Sequence, residues 1–580
     1  MKIRSIIMLA SWMMMLPVGA QTHYDAVRNI GNELNGTARF VGMGGAMGAL
    51  GADISVMGTN PAGIGLFRSN DVSLSFGFNK NITSSELNGT KKSNDRTRAS
   101  FDQIGFVYSS KVGNQTALRY LNFGFNYHKA ANFNRQFSSG GNLDGHSLTW
   151  QMADMLMSLT DGNGNYYYGA QGDLDALFDA DNPYVSQNYY GTPFLSSMGV
   201  RYDLVYNPYR NPNASEDTDG GPFLIQGWNG IDGDYFSREQ GGIDVYDFNV
   251  AFNIKDRFYV GVTLGVYDID YTRYSSYSEN LFVDSQDNGS LLMQGDGGFT
   301  LENWFRTEGT GFDLKLGAII RPFEYSPFRI GFAVHTPIWY SLTDSYVASL
   351  SSDVYYVTAN IPDGDGVSGT ENLSDYYSGA GNYFLDQRLT TPWKFNLSLG
   401  TTVENVLAIG AEYEYANYSS SKYHDLDGYE LSAINDAVDK YLDASHTFRV
   451  GMEAKLSSAF SLRAGYNYVT SPIKENSVRY TPDIESVSNA QYIYYDETRT
   501  DPEYFNLKSR NTLTFGLGYR GRMFYADVAY KYDFYKADFY LFDDYLYEND
   551  GAGDYIAGRN PAAKVNNDRH QLLFTMGVRF

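Results

Sequence analysis

Fourteen stretches of this chain alternate apolar and polar residues with the period of a β-strand, and the connections between them alternate short and long. The stretches are Val72–Phe78, Ile104–Tyr108, Leu121–Tyr127, Tyr246–Ile254, Phe258–Val266, Phe312–Ile320, Phe328–Val334, Trp393–Leu399, Leu407–Tyr415, Phe448–Ala454, Phe460–Tyr468, Leu513–Tyr519, Phe524–Tyr532 and Leu572–Phe580. They run from five to nine residues, the longer ones close to the ~9–11 residues that a tilted strand uses to cross a lipid bilayer. Short links such as Lys255–Arg257 and Arg520–Met523 alternate with long ones such as Asn79–Gln103, His128–Asp244, Tyr267–Gly311 and His335–Thr391. A soluble β-protein has no reason for that alternation, whereas short turns on one side of a membrane and long loops on the other produce it. A sheet in hydrocarbon must also close, because an open edge leaves backbone groups unpaired at several kcal/mol each. The fold class expected is therefore all-β: a 14-stranded antiparallel transmembrane β-barrel.

The two ends of the chain agree with this. Residues Leu572, Phe574, Met576, Val578 and Phe580 share one face of a closing strand that stops on an aromatic residue, and Phe580 resembles the assembly signal of outer-membrane proteins. At the other end Lys2 and Arg4 precede the apolar run Ile6–Leu16 and the small residues Val18-Gly19-Ala20, the pattern of a cleaved signal peptide. Eleven apolar residues are too few for a spanning helix, which requires ~20. Cleavage after Ala20 removes two cations and no acid, taking the formal net charge from −23 to −25. That balance argues against nucleic acid as a partner. No later segment holds eighteen consecutive apolar residues, so a helical membrane protein is excluded. The 50 Tyr, 36 Phe and 59 Gly, with only 19% charged residues, suit strands and loops rather than helices. There is no cysteine, hence neither a disulfide nor a lipid-bearing cysteine.

The faces opposite the apolar ones carry Asp247, Asp313, Lys315, Lys394, Glu412, Glu414, Arg449, Glu453, Arg463, Asp527 and Lys531. Their mixed signs predict salt bridges in a wet lumen rather than the one-signed lining of an ion-selective pore. Asp161-Gly-Asn163-Gly-Asn165 starts like a calcium loop, but Tyr166 stands where glycine is required and Gly172 where the bidentate Glu belongs. Asp363-Gly-Asp365-Gly likewise reads as a turn. The seven histidines show no metal spacing, and no nucleophile–base–acid grouping emerges, so neither metal, cofactor nor enzyme activity is expected.

About fifty residues before the first strand do not alternate. They run Gly36-Thr-Ala-Arg39-Phe-Val-Gly42-Met-Gly44-Gly45-Ala-Met-Gly48-Ala-Leu-Gly51-Ala-Asp53, followed by Asn60-Pro61-Ala62-Gly63. Small residues allow close packing and tight bends. The apolar side chains among them (Phe40, Val41, Met43, Met47, Leu50) would be poorly placed in water, so this segment is expected to be a plug in the barrel. The stretch from Arg39 through Asn60-Pro61-Ala62 resembles the hatch of the FadL/TodX family of outer-membrane transporters for hydrophobic compounds. Gly309–Pro322, Thr391–Phe395 and Ser461–Tyr466 are similar to the versions found in Bacteroidetes-type bacteria. The second outer connection, His128–Asp244, is longer than that family implies.

The resemblance implies domains 1–20 (signal peptide), 21–70 (hatch) and 71–580 (barrel with long extracellular loops). It implies gate residues Arg39, Gly44, Gly45, Asn60, Pro61 and Ala62, and a kink in the third strand, for which Gly124 is the candidate. It also implies capture of ligand by the third and fourth outer loops, with Leu281, Phe282, Leu291, Leu292, Met293, Trp304, Phe305, Ile338, Trp339 and Leu342 as candidates. The function expected is passive, hatch-gated transport of long-chain fatty acids or similar compounds with lateral exit into the membrane. The alternatives are a structural or adhesive surface barrel and a general porin. Expected partners are hydrophobic small molecules, outer-membrane lipid and the barrel-assembly machinery. The expected state is a monomer with both termini in the periplasm.

Overall fold

The computed structural model describes residues 22–31, 33–157, 171–184, 192–207, 225–287, 290–359, 361–376, 383–404, 406–479, 498–549, 554–558 and 560–580. The signal-peptide segment 1–20 and the calcium-like Asp161–Tyr166 lie outside them. The barrel strands in chain order are β1 (Asp71–Leu87), β2 (Thr90–Lys111), β3 (Leu118–Asn132), β4 (Asn229–Ile254), β5 (Phe258–Asp287), β6 (Ser290–Ile320) and β7 (Arg329–His335 continued by Trp339–Thr358). They continue as β8 (Tyr383–Thr390 continued by Lys394–Val403), β9 (Leu407–Asn417), β10 (Ala444–Lys455), β11 (Phe460–Val469), β12 (Tyr504–Arg520), β13 (Phe524–Tyr540) and β14 (Ala563–Arg579). Every neighbour pair is antiparallel, and β14 closes on β1 from Asp71↔Arg579 to Glu86↔Lys564. The barrel is therefore a closed, fourteen-stranded antiparallel sheet.

Alternation sets the two faces. On β5, Phe258, Val260, Val262, Leu264 and Val266 are exposed on the outside, while Tyr259, Gly261 and Thr263 are buried inside. The same outward apolar band recurs on β6 at Phe312, Leu314, Leu316 and Ile320, and on β14 at Leu572, Met576 and Phe580. On β14, Leu573 and Thr575 face inward. Side chains exposed in water at this density would be unfavourable; against lipid they are in their preferred solvent.

The strands are longer than the alternation predicts. Asn79–Gln103, expected as a loop, is a hairpin whose two-residue turn, Asn88-Gly89, has φ of 45° and 85°, as a type I′ hairpin requires. Tyr267–Gly311 is the outer continuation of β5 and β6, paired from Tyr267↔Gly311 to Asp287↔Ser290. Above the membrane the outward face takes polar residues such as Asp268 and Asp270 while the inward face packs under the cap, so the outward apolar signal that marks the lower half disappears.

The outer mouth is covered by a cap. The helices α3 (Leu148–Met157), α4 (Gln171–Phe178) and α5 (Phe194–Val200) of the second outer connection pack on the ends of β5, β6, β7 and β13. Met152, Leu156, Leu195, Met198, Trp228 and Phe542 are central to that cluster. Burying such side chains contributes ~1.5–3 kcal/mol each, which holds these three helices of the connection against the strand ends.

Candidate functional site

The segment before β1 passes down the inside of the barrel from the long-loop end to the short-turn end. Its first helix, α1 (His23–Ile30), starts with a capping box in which Thr22 and Asp25 satisfy each other's backbone amides. It lies near the outer end of the strands, where the Tyr24 hydroxyl donates to Asn506 Oδ1 of β12 at 2.8 Å. Burial would raise the Asp25 carboxyl, but Arg28 at 2.6 Å and Arg499 at 3.3 Å hold it well below the usual carboxylate range. At the other end of the segment, the amide of Asn70 donates to the carbonyl of Phe580. Phe580 therefore sits at the short-turn end, whereas residues 22–30 sit at the long-loop end, opposite to the side expected for the mature amino terminus.

Local chemistry fixes the middle. Thr37 caps α2 (Ala38–Gly42) by accepting from the amide of Phe40, and donates to Asp53 Oδ1 at 2.7 Å; Asp53 also accepts from the amide of Ser55. Arg39 spans the gap to the wall, bonding Glu453 of β10 at 2.9 and 3.2 Å and the carbonyl of Ala52 at 2.8 Å. Asn60, fully buried, accepts from the amide of Ala62 and donates to the carbonyl of Gly48 at 3.0 Å. Pro61 is the first residue of a 3₁₀ turn, Pro61–Leu66, where its missing amide costs nothing. Asn60 and Pro61 are seated against Gly317 of β6 and Gly261 of β5.

Inward glycines of the wall make this seat, and the sequence reading missed them. Gly400, Gly410, Gly451 and Gly465 pair in register across β8, β9, β10 and β11. A methyl group on Gly410 would collide with the carbonyl of Ala46, on Gly451 with that of Met43, and on Gly465 with the amide of Gly44. Glycine weakens a strand, so glycine in the middle of one marks a close backbone approach. That was the signal available. Gly44 and Gly45 have φ of 62° and 80°, and a side chain on Gly44 would meet the backbone of Val450 and Tyr466.

The inward charges form bonded groups. Lys315 bonds Asp247 at 2.8 Å and Asp313 at 3.0 Å; Arg449 bonds Glu412 at 2.6 Å and Glu414 at 3.1 Å; Arg463 bonds Glu453 and Asp527, each at 2.6 Å. Glu412 also accepts from the amide of Gly48, so the wall charges hold the inner segment as well as each other.

Two strands part beside it. The β2–β3 ladder runs from Lys111↔Tyr120 to Gln103↔His128 and stops. Next to that point Asp102 is the extra residue of a bulge against β1. Asn35 donates one side-chain amide to Asp102 Oδ1 at 3.0 Å and to the carbonyl of Lys129 at 3.1 Å, touching both strands at the seam. The amide of Glu33 donates to the carbonyl of Ala130, and its carboxylate bonds Arg569 at 2.7 Å. Gly124 is not the irregular position of β3. Its pairing with Val107 and Asn249 is regular, with shifts only at Leu118/Tyr120 and Lys129/Ala131. The absent side chain at Gly124 makes room for the Met57 thioether.

Between α1 and the wall lies a cavity of about 300 Å³, lined by Tyr24, Arg28, Phe133, Tyr271, Leu507 and Arg510 among others. Arg510 lies 5.4 Å from the Tyr535 ring and has no carboxylate within 4 Å among the described residues. A smaller space of about 80 Å³ continues past Arg510 and Glu33 toward Gly58, Thr59 and His128. The ten capture candidates do not converge. Ile338 and Leu342 share a buried cluster with Ile30 of α1, and Phe305 packs with Tyr271 and Tyr346. Leu281 and Met293 are buried in the cap cluster. Leu292 is partly exposed. Phe282, Leu291, Trp304 and Trp339 are exposed, and the alternation of β5, β6 and β7 turns Phe282, Trp304 and Trp339 away from the lumen.

One family model matches part of the chain. Residues 242–483 match the model described as outer membrane protein transport protein (OMPP1/FadL/TodX). Among solved structures, a Pseudomonas aeruginosa FadL homologue is 12% identical over 95% of this chain and 99% of its own, with a TM-score of 0.47. The P. putida toluene transporter TodX is 12% identical over 94% and 99%, with a TM-score of 0.42. The Ralstonia pickettii toluene transporter TbuX is 14% identical over 94% and 99%, with a TM-score of 0.40. No curated protein matches in sequence.

Proposed function

We propose that this chain is a member of the OMPP1/FadL/TodX family of outer-membrane transport proteins, whose model its residues 242–483 match, and that it passes long-chain amphiphiles of the fatty-acid class across the outer membrane without chemistry or an energy source. Residues 21–70 act as its hatch and 71–580 as its barrel. The observation that carries the choice of substrate is the cavity under the cap, where Tyr24, Phe133, Tyr271 and Leu507 stand beside Arg510, which interacts with Asp533 only at a distance beyond a direct ion pair. Each methylene transferred from water to that surface stabilises binding by roughly 0.8 kcal/mol. A ligand carboxylate can make the direct charge-assisted hydrogen bond to Arg510 that no described carboxylate makes, which a plain hydrocarbon could not.

From the cavity the path leads down to Gly58 and Thr59 and sideways to Asn35 at the parting of β2 and β3. Movement of residues 33–35 would free an opening in the wall at the level of the outer leaflet. An apolar tail leaving there never re-enters water, so a lateral exit is the low-energy route. The gate consists of the anchored hatch, with Arg39, Gly44, Gly45, Asn60, Pro61 and Ala62 at its contacts with the wall. The protein works as a monomer. Phe580 lies on the periplasmic side, where the assembly machinery would read it.

Mass spectrometry of lipids retained by the purified protein, with uptake of labelled oleate and toluene by cells expressing it, tests the reading. Oleate uptake that falls when Arg510 is replaced by Gln, with toluene unaffected, is expected. Toluene uptake alone would overturn the fatty-acid assignment, and uptake of neither would overturn transport. Replacing Asn60-Pro61 with Gly-Gly should change uptake while the barrel still assembles; unchanged uptake would remove the hatch as gate.

A further inference from the structure

Outside the barrel, the exposed Trp304 of β6 and the half-buried Tyr274 of β5, whose hydroxyl donates to Glu302, form an aromatic pair with ring centroids 5.3 Å apart and planes inclined at 47°. Trp304 is 42% exposed. The pair walls a depression of about 290 Å³ with Arg238, Gln240, Arg306 and Ser345. All of these side chains stand on the outward face of β4 to β7, in the two adjacent register rows Gln240–Thr272–Arg306–Ser345 and Arg238–Tyr274–Trp304–Val347.

Height decides what meets this surface. The outward apolar band ends at the row Tyr246–Val266–Phe312–Trp339, whose rings form the usual aromatic girdle of a barrel. Tyr274 lies eight residues beyond Val266 on β5. At ~3.4 Å per residue and a tilt of ~40°, that is roughly 20 Å above the girdle. The intervening rows carry Asp268, Asp270 and Glu308, so the aromatic pair is separate from the lipid band. What stands over outer-leaflet lipid at that height is the sugar portion of lipopolysaccharide.

We propose that this cleft binds the core sugars of lipopolysaccharide. The negative face of an aromatic ring attracts the partly positive C–H face of a pyranose, and the two inclined rings offer such faces at an angle. Gln240, Ser345 and Arg306 supply donors and acceptors for the hydroxyl rim. Arg306 is itself neutralised by Asp270 at 3.2 Å and Glu308 at 2.8 Å. Arg238 has no carboxylate within 4 Å among the described residues, which leaves one cation for an acidic or phosphorylated sugar. The inference requires only that the barrel spans the outer membrane; it does not depend on what the lumen carries.

The test uses the full mature chain in detergent and two probes: core oligosaccharide released by mild acid from rough lipopolysaccharide, and lipid A bearing no core. The oligosaccharide is expected to bind the native protein, to bind Trp304→Ala at least about fivefold more weakly, and to bind Trp304→Phe nearly as well as the native chain. Lipid A should not distinguish the three. If Trp304→Ala loses the heat-modifiable gel mobility of a folded barrel, Tyr274→Ala is read in its place. Absence of oligosaccharide binding, equal binding by native and alanine variants, or the same contrast with lipid A alone would overturn the proposal.

Discussion

Arg39 and Glu453 join the inner segment to the barrel wall by two parallel hydrogen bonds, 2.9 and 3.2 Å long. Removing one partner of a buried pair commonly costs ~3–5 kcal/mol because the other is left uncompensated. Here Glu453 keeps a second cation, Arg463 at 2.6 Å. Arg39→Ala should therefore cost less, about 2 kcal/mol, and the loss should be local. Hydrogen exchange of residues 37–57 should speed up roughly tenfold or more while β10 and β11 stay protected. Equal loosening of wall and plug would mean that the pair supports the barrel rather than anchoring the hatch.

The paired glycines give a sharper test of the same attachment. Gly451 faces the carbonyl of Met43 with no space for a methyl group, and Gly465 faces the amide of Gly44. Gly451→Val suits a strand better than glycine does, so the isolated barrel would tolerate it. The prediction is a heat-modifiable barrel in which protease cuts residues 33–66 and single-channel recordings show open steps absent from the native protein. A closed, protease-resistant variant would show that the seat yields.

How far the sequence foretold this is clear from individual strands. Phe258–Val266 and Leu572–Phe580 were legible because one face meets lipid and the other the lumen, a contrast that alternation records directly. The outer half of the same β5, Tyr267–Asp287, was not legible. There Asp268 and Asp270 replace apolar residues on the outward face, and the period survives only in burial. Trp304 and Trp339 were misplaced for a related reason: an aromatic residue in an expected loop has no assigned face, and pairing within a strand turns both outward. Arg39 and Asn60 were reached through the resemblance to a hatch, but the Gly400–Gly410–Gly451–Gly465 row was not, because registry between strands is a property of the folded sheet. Asn35 offered no signal at all, since its role depends on where β2 and β3 separate.

That separation makes Asn35 a specific target. Its amide reaches Asp102 on β2 and Lys129 on β3, and each neutral or charge-assisted bond is worth ~0.5–3 kcal/mol net. Asn35→Ala should lower the barrier to parting the strands. Expected results are oleate uptake raised roughly two- to tenfold and faster exchange of the 129–132 amides, with exchange at Val72–Phe78 unchanged. Asn35→Asp places like charge beside Asp102 and should act in the same direction. If both variants transport at the native rate, the seam is not the exit.

The cap carries a pH response of predictable sign. Glu279, beyond the lipid-facing Phe258–Val266 part of β5, is buried and accepts from the hydroxyls of Ser147 and Tyr277 and from the amide of Leu148. Burial pushes its carboxyl up to about 7, against the three hydrogen bonds that favour the charged form. The folded cap thus prefers the proton more strongly than the unfolded chain, where the carboxyl titrates near 4.5. The stabilisation is fully present below 4.5 and is lost as pH rises through about 7, a difference on the order of 3 kcal/mol. Cleavage by a protease in the connection before α3, near Asp144 to Ser147, should accelerate between pH 5.5 and 8.5. Glu279→Gln keeps a neutral hydrogen-bonding group there and should abolish the acceleration. A cap whose protease sensitivity rises equally in the Gln variant would place the titrating group elsewhere.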